Sequence, residues 1–298
     1  MNIMEFWLIL LIILLILIAI VIVRVVYEVT HPQYGRYSVE TQKLGANEKI
    51  RIVFLADLHS KKYGKNNIKL IRLVSNAKPD FIILGGDMIT ASHLINQDER
   101  TLDALSGLSN IAPVYYAPGN HEKALSENPR KAERFDDFMF ELESMDIPYL
   151  ADQNAILTED MYVYGLDIDS LFYKKTGKKR APSVKYIEKK LGLPDKRKFN
   201  ILVSHTPAFF NTYVKTDFDL ILCGHYHGGL VNLPWLGPVF SPEFDFRPKH
   251  CAGAFRKNGK VVIVTRGIGT HLFNIRLFNR PEVTVIDIKN RDSLGGEA

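Results

Sequence analysis

The apolar pattern along the chain changes character twice. Residues 6–23, FWLILLIILLILIAIVIV, carry no charge and show neither the two-residue nor the 3.6-residue alternation of a half-buried element. As a helix this run is about 27 Å long at 1.5 Å per residue, near the hydrocarbon thickness of a bilayer. Arg24 can lift its guanidinium to the headgroups, so that Val25 and Val26 extend the span, while Trp7 suits the opposite interface. A cleaved signal peptide is the alternative. Against it, the run exceeds the roughly 7–15 apolar residues of such a signal, no Lys or Arg precedes it and no A-x-A site follows. Residues 1–26 are therefore expected to form an uncleaved single-pass anchor whose partner is the membrane lipid bilayer. Residues 27–48 turn polar, with His31-Pro32 and scattered glycines, and read as a juxtamembrane linker with room for one edge strand.

From position 49 short apolar runs recur: IRIVFLAD (50–57), FIILGGD (81–87), PVYYAPGN (113–120), FNILVSH (199–205), DLILCGH (219–225) and VVIVTRG (261–267). Each predicts a buried strand. Helical spacing appears at 67–77, 98–108 and 133–145, the last presenting Phe135, Phe138, Met139 and Leu142 as a core stripe. Strand and helix alternation early in the chain predicts crossover units, and later runs without intervening helices predict a second, more antiparallel sheet. The expected fold class is α/β: a layered α/β sandwich of two mixed sheets flanked by helices, over residues 49–290, preceded by one transmembrane helix. Residues 291–298 are expected as a frayed tail.

Composition changes this picture little. Of 298 residues, 46% are hydrophobic and 24% charged, the balance of a globular chain. Cys223 and Cys251 are not spaced as a Cys-x-x-Cys pair, so nothing asks for an oxidising compartment. Charge matters more at two places. Arg24, Arg36 and Lys43 follow the apolar run whereas only Glu5 and the α-amine precede or open it, which favours a cytoplasmic catalytic domain. No twin-arginine pair precedes it. Residues 171–198 hold eleven Lys or Arg against Glu188 and Asp195. This end of the molecule reads as a solvated face or as an attraction to anionic headgroups. No nucleic acid is expected, since an anchored protein has lipid as its nearer polyanion.

Five of the strand runs end in a small residue and then in a metal-type side chain. These are Asp57-Leu58-His59, Gly86-Asp87, Gly119-Asn120-His121-Glu122, Ser204-His205 and Gly224-His225-Tyr226-His227. In α/β sheets ligands bind beyond the carboxyl ends of strands, so residues distant in sequence meet there. A pair of divalent cations about 3.5–4 Å apart needs a bridging anion and nitrogen and oxygen donors on each side. Asp87 suits the bridge because a carboxylate offers one oxygen to each ion, while a neutral imidazole serves one ion only.

The ordered set D-x-H, G-D, G-N-H-E, H and G-H-x-H, spread over residues 51–287, resembles the calcineurin-like metallophosphoesterases. GGLVNLPWLGPVFSP (228–242), PKHCAGAF (248–255), RGIGT (266–270) and IRLFNRPEV (275–283) further resemble the bacterial membrane-associated branch that includes UDP-diacylglucosamine pyrophosphohydrolases. The chain departs from that branch at Leu230, where a Gln is expected, so no substrate contact is carried over there. The resemblance implies that Asp57, His59, Asp87 and His227 hold one metal, and that Asp87, Asn120, His205 and His225 hold the other. It leaves His121 unligated and facing the phosphorus as the catalytic acid or charge stabiliser. The implied cofactors are two divalent metal ions, manganese first, with iron or zinc as alternatives.

The function this predicts is hydrolysis of a phosphodiester or pyrophosphate, the substrate being a phosphoester that the anchor suggests is lipid-linked or a nucleotide-sugar lipid. A protein phosphatase or a nuclease would use the same two-ion chemistry, and a non-catalytic membrane scaffold would need loss of a ligand or of His121, which the sequence does not show. Arg276 and Arg280 are candidates to clamp a substrate phosphate or to sit in salt bridges. Glu122 is a candidate to orient His121 or to open a helix. His31, His93, His250 and His271 lack motif company and are expected in surface or structural roles.

Overall fold

The computed structural model describes residues 2–45, 47–92, 97–173, 180–229, 231–233, 235–241, 246–270 and 275–291. Readings placed on His93, His271, Leu230, residues 174–179 and residues 292–298 lie outside them. The apolar run forms α1 (Ile3–Thr30), opened by a reciprocal cap between Asn2 and Glu5. Its most apolar 18-residue window has a mean hydropathy of 3.7 and is unburied, so the helix is long and apolar enough to cross a membrane. Its last two turns meet the domain, with Glu28 and Val29 buried and Arg24 over the Phe278 ring.

The polar stretch that follows contains β1 (Gln33–Thr41), which is an edge strand of the first sheet. That sheet continues with β2 (Lys49–Leu55), β3 (Phe81–Leu84) and β4 (Val114–Tyr116), connected through α2 (Ile68–Ala77) and α3 (Asp98–Ser109). The C-terminal strand β13 (Glu282–Asn290) inserts between β1 and β2, giving the order β1-β13-β2-β3-β4. Only the β13–β2 pairing is antiparallel. After β4 come α4 (Asn120–Ser126) and α5 (Ala132–Ser144).

The second sheet is built from β5 (Gln153–Thr158), β6 (Met161–Leu166), β7 (Phe199–Ser204), β8 (Leu220–Cys223), β11 (Gly253–Lys257) and β12 (Lys260–Val264), in the order β11-β12-β8-β7-β6-β5. Its four inner strands are parallel, and only the edges β5 and β11 pair antiparallel. With two antiparallel pairings of five against one of four, the second sheet is the more antiparallel, as expected; the expectation of no intervening helices is corrected. Crossovers do exist there, through α6 (Val184–Leu191) and α7 (Phe210–Tyr213), with a small separate ribbon of β9 (Val231–Leu233) and β10 (Gly237–Phe240) on the last connection.

Side chains alternating along each strand feed two different layers. Val53 and Leu55 pack with Leu70, Leu105 and Phe138 under the helices, while Ile52 and Phe54 face Ile201, Leu222 and Ile263 of the other sheet. Leu202 and Ile221 fill a third layer with Ile187 and Phe210. Phe54, with no exposed surface, sits where truncation to Ala costs about 3–5 kcal/mol. The stacking of two sheets brings the carboxyl ends of β2, β3 and β4 together with those of β7 and β8.

Candidate metal centre

Each of those five strands releases a loop that carries one or two polar side chains. The loops are held in unusual backbone: Asp57, His59, Asp87, His225 and His227 all have φ between 48° and 70°. Left-handed backbone costs an ordinary residue of order 1–3 kcal/mol and persists where the surroundings impose it. Here they do. Asp57 N–H donates to Gly86 O at 3.0 Å and His59 N–H to Asp87 O at 3.0 Å, tying the β2 loop to the β3 loop. The glycines allow close approach: a Cβ on Gly224 would stand 2.6 Å from Asp57 Oδ2, and one on Gly86 would collide with the backbone of Gly119.

Seven of the eight predicted side chains fall into three groups, in each of which the ligand-type atoms lie within 4.8 Å of one another. These are Asp57, His59 and His227; His59, Asp87 and His121; and Asp87, His205 and His225. Asp87 belongs to two of them. Its Oδ2 lies 3.0 Å from His205 Nε2 and 3.9 Å from both His59 Nε2 and His121 Nε2, and its Oδ1 accepts the His121 N–H at 2.8 Å. The eighth residue, Asn120, opens α4 between Gly119 and His121. Its Oδ1 is buried without a hydrogen-bond partner, as is His205 Nε2. Orphaned buried acceptors are rare in folded proteins. An amide oxygen without a partner, and an imidazole nitrogen that meets only carboxylates, are the donor set of a hard or borderline divalent cation.

Protonation follows from the partners. His205 Nδ1 lies 2.7 Å from Gly85 O and must donate to it, so when the ring is neutral its lone pair is on Nε2. His121 is the converse: its Nδ1 accepts the Ala91 N–H at 2.8 Å, so the neutral ring carries its proton on Nε2, the atom facing Asp87. Burial pushes the Asp57 carboxyl up to about 7, against the pull of His205. Burial also acts to raise Asp87, but His205, His121 and His59 hold it well below the usual carboxylate range. His205 rises to about 10, because Asp87 and Asp57 outweigh the cost of burying its charge.

A second tier of residues fixes the loops. Glu122, fully buried, accepts the N–H groups of Asp87 at 2.8 Å, Met88 at 3.0 Å and Gly119 at 2.9 Å, and the Tyr116 hydroxyl at 2.7 Å. It therefore opens α4 and clamps the Asp87 loop. Arg276 is 1% exposed and donates to the carbonyls of Gly269 at 2.6 Å and Arg266 at 2.8 Å, with Nη2 3.4 Å from His227 Nδ1. Arg280 donates to His31 O at 2.7 Å and Pro32 O at 3.1 Å. Both arginines are thus spent on backbone rather than aimed at a substrate phosphate. His31 stacks on Tyr27 and His250 on Phe210, in the structural roles expected of them.

Sequence reasoning missed Glu28 and Asn279. Glu28 accepts the Asn279 N–H at 2.7 Å, and the Asn279 amide donates to His227 O at 2.7 Å and to Gly229 O. A lone carboxylate on the last turn of an apolar helix was the available signal. The basic stretch also looks different in three dimensions: Lys190, Lys196, Arg197 and Lys198 pair with Asp152, Asp217, Asp195 and Asp160.

An α/β sandwich with an Asp/His cluster across the carboxyl ends of its strands defines a metal-dependent hydrolase. Residues 50–229 match the calcineurin-like phosphoesterase family, more than half of the chain, and the chain belongs to that family. It is a metal-dependent phosphoesterase. It is 29% identical over 240 residues to phosphodiesterase YaeI of Escherichia coli (strain K12), covering 80% of this chain and 82% of that protein. It is 22% identical to the UDP-2,3-diacylglucosamine pyrophosphatase LpxG of Chlamydia muridarum (strain MoPn / Nigg), covering 80% and 83%. Among solved structures, a dimetal phosphatase from Danio rerio aligns with a TM-score of 0.40 and 12% identity, over 73% of this chain and 87% of that one.

Proposed function

We propose that the chain hydrolyses a phosphodiester or pyrophosphate bond of a lipid-linked substrate at a membrane surface. The observation that carries this reading is the joint between helix and site: the last turn of α1 holds Asn279, and Asn279 holds the loop of His227. That joint supports a site at the foot of the anchor, on the side that the positive-inside rule favours as cytoplasmic. Relatives named as a phosphodiesterase and as a diacylglucosamine pyrophosphatase support the bond type and the lipid class.

Asp57, His59, Asp87 and His227 would hold one cation and Asp87, Asn120, His205 and His225 the other, with manganese the first choice. When bound, the two cations supply Lewis-acid stabilisation of charge on the phosphoryl oxygens and activate water. The chain's own groups do the rest. Asp87 belongs to both sets: its Oδ2 faces His59 and His205, its Oδ1 accepts the His121 N–H, and Glu122 holds its backbone N–H. The His205 ring is oriented through Gly85 O, and the His227 loop is held through its backbone carbonyl by Arg276 and Asn279. The His121 side chain is 19% exposed, against 6%, 0% and 4% for those of His59, His205 and His227, and like the half-buried His225 it is open to solvent. We assign the His121 Nε2 proton to the leaving oxygen.

The test is turnover by purified full-length protein with Mn²⁺ on bis-p-nitrophenyl phosphate, p-nitrophenyl phosphate and UDP-diacylglucosamine, with Asp87→Asn as control. Cleavage of the diester and of the lipid nucleotide is expected, lost together with bound metal in Asp87→Asn. Cleavage of the monoester alone would point to a phosphatase and overturn the reading.

A further inference from the structure

Among its described residues the domain exposes few large apolar side chains, and six of them gather on one strip. They are Trp235, Leu236, Phe240, Phe246, Ile275 and Phe278, with Trp235 fully exposed. The strip is continuous. Phe240 and Phe246 form a β-bridge with rings 5.7 Å apart, Val231 of β9 bridges to Leu277, and Asn232 N–H donates to Leu277 O at 2.9 Å. At its far end Phe278 lies under the Arg24 guanidinium, 5.4 Å from the ring centroid. Arg24 is the first charge after the apolar run of α1, so that contact marks the level of the headgroups. Six residues separate Arg24 from the end of α1 at Thr30, which places Phe278 roughly 9 Å up the helix from its lower end.

We propose that the β9–β10 ribbon and the 275–278 segment form a second membrane contact, with Trp235 and Leu236 entering the interfacial layer of a phospholipid bilayer beside α1. This rests on the reading of α1 as an anchor. Contiguous exposed apolar surface on a soluble domain marks an interaction site. Its composition here is that of a membrane interface, where Trp sits at headgroup level and cations flank it; Arg247 and Lys249 are the exposed cations at the base of the ribbon. Trp235 and Phe278 are both presented by left-handed backbone, φ 66° and 54°. For a bulky aromatic that is a strained placement, which persists where the surroundings impose it. The ribbon leaves His227 through Gly228 and Gly229, whose carbonyl Asn279 also holds. A lipid-borne phosphoester drawn up along the strip would arrive at the metal centre without leaving the interface.

The chain has two tryptophans, Trp7 and Trp235, so full-length Trp7→Phe protein reports on Trp235 alone. In phosphatidylcholine/phosphatidylglycerol vesicles its emission should be blue-shifted, and quenched more by lipids brominated near the headgroup than by lipids brominated near the chain end. Emission of a water-exposed indole, open to acrylamide and untouched by either bromolipid, overturns the proposal. So does shielding from acrylamide without bromolipid quenching, which would mean that a second copy of the chain covers the strip. Leu236→Asp should lower turnover of a vesicle-embedded phosphoester by at least about tenfold, the loss of one apolar anchor. It should leave bis-p-nitrophenyl phosphate hydrolysis unchanged; equal rates on both substrates in variant and parent overturn the proposal. If the parent cleaves no phosphoester at all, the assigned reaction fails while the quenching result still decides the membrane contact.

Discussion

Glu28, the last acid of the apolar helix, accepts the backbone N–H of Asn279 at 2.7 Å in a fully buried contact. Its second oxygen pairs with Arg24 at 2.6 Å, whose side chain is 46% exposed. Two ends of the chain are thus joined, and the joint touches the site, because the Asn279 amide supports the carbonyls of His227 and Gly229. Helix, joint and metal loop form one mechanical unit.

Removing that joint should be felt at the metals. Glu28→Ala leaves a buried N–H unpaired, a loss of about 1–3 kcal/mol in unfolding free energy, whereas Glu28→Gln keeps an acceptor and should lose less. Asn279→Ala removes two donors that hold the His227 loop, and Mn²⁺ affinity should fall by about 10–100-fold. Calorimetric Mn²⁺ titration and denaturant melts of the three variants make the comparison. An Asn279→Ala protein with parental Mn²⁺ affinity would show that the joint is merely structural.

For His121, the Ala91 N–H on Nδ1 fixes the proton on Nε2. If that proton goes to the leaving oxygen, His121→Ala should lower kcat by roughly 10²–10⁴ while metal content stays near two ions per chain. The loss should shrink for substrates with better leaving groups, since these need less protonation. Elemental analysis showing one metal lost, with the rate per remaining site unchanged, would make His121 a ligand instead.

The strand ends announced themselves in the sequence because buried parallel strands are continuous apolar runs, and a polar residue straight after Gly or Ser has few other reasons to be there. The helices α2, α3 and α5 begin and end within a residue of the expected 67–77, 98–108 and 133–145. What periodicity does not carry is long-range pairing. EVTVIDIKN reads as any amphipathic strand, and nothing local says that it enters the first sheet between β1 and β2. The β5–β6 hairpin stayed hidden because QNAILT is half polar, with one buried residue, and lies on an edge. Arg276 resembled a phosphate clamp because sequence reports charge and not burial; its partners are the carbonyls of Arg266 and Gly269, a few residues back, and of the distant His227.

Protonation predicts how metal and pH combine. In the metal-free protein burial raises Asp57 to about 7, and Asp87 lifts His205 to about 10 against the cost of burial. Both folded-state values lie above the unfolded ones, so the folded chain holds more protons between about pH 4 and 10. Stability from these groups is present at low pH and is lost as pH rises through the two folded values. A bound cation requires Asp57 ionised and His205 neutral, so it restores more at higher pH. The gain in Tm from saturating Mn²⁺ over EDTA-treated protein should therefore be larger at pH 8 than at pH 5.5. A gain that is constant or falls with pH would contradict this protonation scheme.

The position of a truncation within α1 should matter more than its length. Deleting residues 1–23 removes the apolar run but spares Arg24, Glu28 and the Val29 carbonyl, which accepts from Lys61 Nζ at 2.6 Å. Deleting residues 1–30 removes all three, leaving the Asn279 N–H unpaired, Lys61 without its helix-end carbonyl and Phe278 without its cation. Lys61 lies two residues from His59, so that loss reaches the metal loop from a second side. The shorter deletion should leave hydrolysis of a soluble diester at the parental rate, because every metal-type side chain lies beyond residue 56. The longer one should lower it by about tenfold or more and shift the Mn²⁺ dependence to higher concentration, as loss of outer-shell support does. On a lipid phosphoester in vesicles both truncated proteins should fall, since the anchor raises local concentration at the surface without any new contact at the site. The measurement is kcat/KM for the three lengths on both substrates across a Mn²⁺ series. Equal soluble-diester rates for the two truncations would separate the anchor's last turn from the metal centre, and the lipid reading would then rest on location alone.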